Sequence, residues 1–191
     1  MVVIALVLLV VLLIVPIVGK ARKKAEMVHE VSAARQLVIA MTKYMDENNG
    51  KILPGYKNDP AFDERGNELG NPMNARYPWR LVPYLETDKF GVLLVGNANG
   101  LRKRQTDYSG FVYEVSVFPS LGMNVFHVGG DYSGNSGRGL RPIPGHFDRF
   151  GRFCVTRDGN PRAGNLIAFA SARHGLGGNF HKGYFKVEAP N

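Results

Sequence analysis

Residues 1–18 read MVVIALVLLVVLLIVPIV, and residues 19–50 continue GKARKKAEMVHEVSAARQLVIAMTKYMDENNG. The first of these runs carries no charge and no polar side chain. A helix buried in a soluble core shows a polar face, and this one is apolar all round. Eighteen residues rising ~1.5 Å each span ~27 Å, slightly short of a ~30 Å hydrocarbon core. A cleaved signal peptide places its basic residues before the apolar run and a small-residue cleavage site after it. Here the basic residues follow: Lys20, Arg22, Lys23 and Lys24. Such a cluster marks a membrane edge, where long cationic side chains reach the headgroups. The reading is a retained membrane helix, with Val2, Val3, Ile4, Leu6, Leu9, Leu13, Pro16 and Val18 as its anchoring and packing residues.

From Glu26 onward the pattern becomes periodic. Met27, Val28, Val31, Ala34, Leu37, Val38, Met41, Tyr44 and Met45 recur at helical spacing, with Glu30, Arg35, Lys43 and Glu47 on the other face. This stripe is expected to pack the lower helix against a soluble domain. Asn48-Asn49-Gly50 is a helix stop, because Asn and Gly tolerate the left-handed conformation at a helix end. One helix therefore runs from the N-terminus to about residue 48. Pro16 removes one of its backbone hydrogen bonds, and Pro16 and Gly19 together are expected to give local flexibility.

This start resembles the N-terminal helix of type IV pilins and type II secretion pseudopilins. Met1-Val2-Val3-Ile4-Ala5 matches the family's "MVVIA", and Pro16 falls at its helix-kinking proline. Lys20-Ala21-Arg22-Lys23-Lys24-Ala25 is similar to its basic "KAREKA" stretch. Residues 37–56, LVIAMTKYMDENNGKILPGY, are similar to "LxxALxxYxxDNNGxxPPGY" of the larger pseudopilin-like proteins. Beyond residue 56 the likeness is weaker. Residues 77–86, YPWRLVPYLE, resemble "WRxxLLPYLE", and Ala172-Arg173-His174-Gly175 with Asn179-Phe180 resembles a C-terminal "RHGGGxNxxFxDGH". Lys182-Gly183-Tyr184 stands where that motif has Asp-Gly-His.

The family's cleavage glycine, N-methylated phenylalanine and glutamate at the fifth mature position would lie upstream of Met1. Met1 thus reads as an internal methionine, with the leader and about six mature residues missing; six more residues would lengthen the span to ~36 Å. A basic leader would turn the globular domain outward under the positive-inside rule. The resemblance implies an inner-membrane, single-pass protein with a periplasmic domain. Its implied partners are membrane lipid, copies of itself or other pilin-like subunits and, for the full-length form, a prepilin peptidase and an assembly ATPase with its platform.

The chain has 191 residues, enough for this helix and one domain over residues 51–191. The 23 glycines and 11 prolines lie mostly after residue 50 and predict a loop-rich domain. Pro78 is expected to start a short helix over residues 79–86, with Trp79, Leu81, Val82 and Leu85 partly buried. Val92–Val95 fits a strand or a helix. Residues 111–118, FVYEVSVF, read as a strand ended by Pro119. Residues 129–145 read as a long surface loop, 166–170 and 184–187 as strands, and the Gly-rich 175–183 between them as hairpin-like. The expected fold is α+β: a long N-terminal helix, membrane half 1–19 and amphipathic half 20–50, packed on a small antiparallel sheet.

Catalytic chemistry is not expected. His29, His127, His146, His174 and His181 include no i, i+4 zinc pair, although His174 and His181 are placed to face each other across the last hairpin. Asp131, Asp148 and Asp158 fall in loops where calcium is the ion their carboxylates would suit, but their spacing matches no calcium motif. Ser120 lies in PSLG, outside any nucleophile elbow. Cys154, the single cysteine, reads as a buried thiol and excludes an internal disulfide. The formal net charge of +8 is scattered apart from the membrane-edge cluster and Arg102-Lys103-Arg104. That makes nucleic acid a poor match as partner. The leading expectation is a structural, filament-forming subunit with no cofactor. The alternatives are a membrane-anchored enzyme or ligand-binding domain using the loops around 129–165, and a DNA-binding minor pilin using residues 102–104.

Overall fold

Helix α1 runs unbroken from Val2 to Glu47, through Pro16 and Gly19. It ends where the sequence stops it: Asn49 and Gly50 take positive φ angles of 55° and 74°, and the Gly50 N–H donates to Met45 O at 2.8 Å. The computed structural model describes residues 2–86, 88–95, 107–125, 127–132, 166–176 and 179–187; side chains are described from Val18 onward, except in 173–176 and 179–182.

After the turn the chain runs back along the lower helix. Four short helical elements follow: α2 (Tyr77–Leu81), a 3-10 turn (Val82–Tyr84), α3 (Lys89–Leu93) and α4 (Tyr108–Val117). All five residues of α2 are buried. Its polar atoms reach into three other parts of the fold. Tyr77 Oη donates to Leu121 O, Trp79 Nε1 donates to Val112 O at 2.9 Å, and Arg80 Nη2 donates to Ala75 O at 3.1 Å and to Pro54 O. Burial pushes the Arg80 guanidinium down to about 10, against the opposing pull of the nearby Asp59 carboxylate. The aromatic rings of Trp79, Phe90 and Phe111 meet edge to face behind α2.

The strands are β1 (Leu121–Asn124), β2 (Phe169–Ser171), β3 (Arg173–Leu176), β4 (Asn179–Lys182) and β5 (Lys186–Val187). Their order in the main sheet is β2-β1-β5. β1 pairs antiparallel with β2, Gly122 opposite Ala170, and parallel with β5, Met123 opposite Lys186. The sheet is therefore mixed, not antiparallel as expected. The segments 166–170 and 184–187 do not pair as a hairpin; β1 lies between them. β3 and β4 do form a hairpin, with His174 in register with His181. The tight corner after β1 needs glycine at 129: its φ is 70°, and a Cβ there would sit 2.1 Å from Leu53 O.

The expected strand at 111–118 is helix α4. Asp107 decides this locally. Its side chain accepts hydrogen bonds from Ser109 Oγ at 2.8 Å and from the Gly110 N–H at 3.3 Å, capping the helix that follows. Phe111, Val112 and Val115 then fall at helical spacing on one buried face, and Tyr113 is exposed. Tertiary burial overrides the β preference of the side chains. The 92–95 run ends helix α3, with Leu93 and Leu94 buried. Trp79, Leu81, Val82 and Leu85 are buried outright rather than in part.

Among the described residues, helix α1 meets this domain along its lower part. Ala33, Leu37, Ala40, Met41 and Met45 are buried in the core, and Ala34 and Tyr44 pack at its edge. Met27, Val28, Val31 and Val38, expected in the same packed stripe, are exposed. The stripe wraps the helix: at about 100° per residue, Leu37, Ala40 and Met41 point toward the domain, Val31 and Val38 lie about 100–120° round from Leu37 on the flank, and Val28 points opposite.

Candidate functional site

The candidate site is the helix itself. Val2, Val3, Ile4, Leu6, Leu9, Leu13 and Pro16 lie on the helical backbone of α1, and their side chains lie outside the described residues. Val18 is exposed, and so is every residue from there to His29, twelve consecutive positions and more than three turns. Gly19 sits in continuous helix, and a Cβ on it would meet nothing within 4 Å. The cations Lys20, Arg22, Lys23 and Lys24 are all exposed. Below them Met27, Val28, Val31, Val38 and Ile39 form an exposed apolar ridge over the flank and back of the helix, with Met27 65% and Val28 61% exposed. Among the described residues, no helix is long and apolar enough to cross a membrane.

The helix joins the domain near Glu30, whose Oε2 accepts from Ser171 Oγ at 3.1 Å at the edge of the sheet. Beside that junction a groove of about 320 Å³ runs between α1 and α3. Ala33, Val92, Leu94 and Val95 give it an apolar floor. Glu26, His29, Ser32, Gln36 and Asp88 give it a polar rim. Asp88 holds a positive φ of 29° and caps α3, accepting the Gly91 N–H at 3.0 Å. Sequence reading missed this groove, although it left a signal: Glu26, His29, Ala33 and Gln36 recur at spacings of three and four, a polar helix face distinct from Glu30, Arg35, Lys43 and Glu47.

The other candidate ligating groups fall apart. Asp131 is not in an open loop. It is buried, and its Oδ2 pairs with Lys186 Nζ at 3.3 Å. Asp148, Asp158, His146, Cys154 and Arg102-Lys103-Arg104 lie outside the described residues, as does most of the 129–165 region. His127 turns back on its own loop, its backbone N–H donating to Asn124 Oδ1 at 3.2 Å. Ser120 Oγ donates to Val95 O at 2.7 Å, which ties the α3 end to the start of β1. No group of three or more His, Cys, Asp or Glu side chains among the described residues is placed to hold a metal ion.

One acidic group is well organised for a structural reason. Asp63 Oδ1 accepts the backbone N–H groups of Arg65 and Asn67, both at 2.8 Å, and Oδ2 accepts Asn67 Nδ2 at 2.9 Å. Burial alone would raise its pKa; the hydrogen bonds from Asn67 and its neighbours outweigh that and hold it below the usual carboxylate range. The adjoining Tyr108 hydroxyl is pushed up to about 12 by burial and by the Asp63 charge, and the Arg65 guanidinium lies 3.5 Å over the Tyr108 ring.

Compared with family models, with curated proteins and with solved structures, the chain has no match.

Proposed function

We propose that this protein is a pilin-like structural subunit, held in the inner membrane by the upper half of α1 and assembling through that helix into a type II secretion pseudopilus or a type IV pilus-like filament. One observation supports the reading above the others. A single helix extends from Val2 to Glu47, yet the described domain covers only its lower part. An isolated surface helix with three turns exposed all round, an apolar ridge and a wholly apolar extension leaves much apolar area in water. At ~25 cal/mol per Å² that arrangement favours a second, water-free environment. Lipid supplies it in storage, and neighbouring helices supply it in a filament. The domain has the character of a shell around such a core, rigidified by α2 and its links to α4 and β1.

The test uses the full chain in its native membranes. In a Cys154→Ser background, single cysteines are placed at Val28, Val31, Val38 and Ile39, and the membranes are oxidised. A ladder of disulfide-linked oligomers is expected from at least one ridge position, with none from a cysteine at exposed Glu68. Monomer at every ridge position would sink the proposal.

A further inference from the structure

We infer that the groove between α1 and α3 receives the basic segment, Lys20 to Lys24, of a second copy of this chain lying parallel and axially displaced. The inference rests on the filament reading above and names the contact that would set the register between neighbours.

The groove has the shape and charge for a lysine. Ala33, Val92 and Val95 form an apolar floor along which a four-carbon stem can lie. Glu26 places a carboxylate at the rim where the ammonium would emerge, Gln36 stands beside it, and the Asp88 carboxylate that caps α3 adds negative charge to the same rim. A fitting occupant exists on the same chain. Lys20 and Lys24 are exposed and one turn apart. At helical spacing they continue the row of Met27 and Val31, the exposed ridge on the flank of the helix. A neighbour that turns its ridge toward this groove therefore presents Lys20 and Lys24 first and apolar side chains behind them. Without such pairing, four cations per chain would stack in a bundle of parallel helices and repel one another. The apolar ridge alone allows sliding; the charged pairs fix one register.

The pairing sets a distance. Placing Lys20 of one copy opposite the Glu26 carboxylate of the next requires a shift of six residues, which sets Met27 within one residue of Ser32; carrying Lys20 on to the far side of the Glu26 turn extends the shift to nine. At ~1.5 Å per residue the axial stagger between contacting neighbours is ~9–14 Å.

The experiment co-expresses two full-length chains of different tag size, both Cys154→Ser, one with Met27→Cys and one with Ser32→Cys. After oxidation in membranes the mixed dimer is expected to exceed either homodimer. Adding Glu26→Lys to the Ser32→Cys chain is expected to cut the mixed dimer about tenfold, since opposed like charges are strongly unfavourable. Adding Lys20→Glu and Lys24→Glu to the Met27→Cys chain should then restore it. Ridge cross-links through Val31→Cys, measured on the same charge-reversed chains, report their insertion and assembly. Ridge cross-links without the Met27–Ser32 dimer would overturn the docking and leave the filament reading standing. No ridge cross-links would remove the filament reading itself. Restoration by reversing Arg102 and Arg104 instead would assign the groove to the chain's own basic stretch. As a second measurement, a helical repeat giving a stagger outside ~9–14 Å would also overturn it.

Discussion

Two neighbouring stretches of α1 both carry apolar side chains and meet different fates. Between Ala33 and Met45 the helix contributes five buried side chains to the core, and Leu37 is wholly enclosed. Between Val18 and His29 it contributes none, although Met27 and Val28 are as apolar as Leu37. The difference lies in the domain, not in the helix. Helices α2 and α3, the 3-10 turn and strand β2 meet one face and one length of α1. A helix read in isolation shows where apolar side chains recur; it does not show how far along its length a partner extends. The exposed apolar ridge from Met27 to Ile39 is where an interaction with something outside the domain has to be sought.

That contrast can be broken by mutation. The largest expected effect is Leu37→Ala, which deletes a fully buried side chain. It should lower the unfolding free energy of the detergent-solubilised chain by ~2–5 kcal/mol, followed through Trp79 fluorescence in denaturant. Met27→Ala should stay within ~0.5 kcal/mol in the same assay. Equal losses would mean that the two stretches do not differ. Next is overpacking: Ala33→Leu forces extra volume into the junction and should cost ~1–3 kcal/mol, whereas Val31→Leu, two residues away on the exposed ridge, should be neutral. Acid offers a smaller lever. Because the Asp63 pKa is depressed on folding, its contribution is fully present above the ordinary value near ~3.9 and is lost as pH falls through the lower, folded value. The thermal midpoint of the domain should therefore fall between about pH 5 and pH 2, and Asp63→Asn should flatten that fall. The helical far-UV signal of the upper half should persist meanwhile. The smallest effect is expected at the junction itself: Glu30→Gln keeps a partner for Ser171 and should change stability by under ~0.5 kcal/mol. A large loss there would show that the edge of the sheet, and not the row from Ala33 to Met45, holds the helix.

The elements legible in the sequence were those with a punctuating residue. Asn49 and Gly50 end α1 where a left-handed stop predicts, Pro78 opens α2, and the Gly-rich 175–183 segment turns a hairpin that pairs His174 with His181. Where the signal was propensity alone, it misled. FVYEVSVF has the composition of a strand, and a capping aspartate four residues upstream makes it a helix. β1 was not legible, since Leu121–Asn124 contains a glycine and an asparagine. It forms because its backbone bonds both β2 and β5, and Gly122 lets β5 approach: a Cβ there would lie 2.7 Å from Tyr184 O. The parallel pairing of β1 with β5 depends on where distant segments return, which no local pattern encodes. Of the candidate site, the basic cluster and the apolar run were visible at once. The groove was not, because Asp88, Val92 and Val95 come from a segment sixty residues away from His29.

The stretch of α1 between Lys24 and Ala33, which contributes no buried side chain to the core, has a mechanical meaning. On the membrane-anchored reading proposed above, with the cations at the headgroups, nine residues would separate the lipid surface from the first core side chain, a standoff of ~14 Å. The domain would ride above the bilayer on a stalk about one helix diameter tall. Neighbouring stems could then meet at the surface before their heads collide, and wedging an additional turn into the stalk would lift each head by ~5 Å without altering its fold.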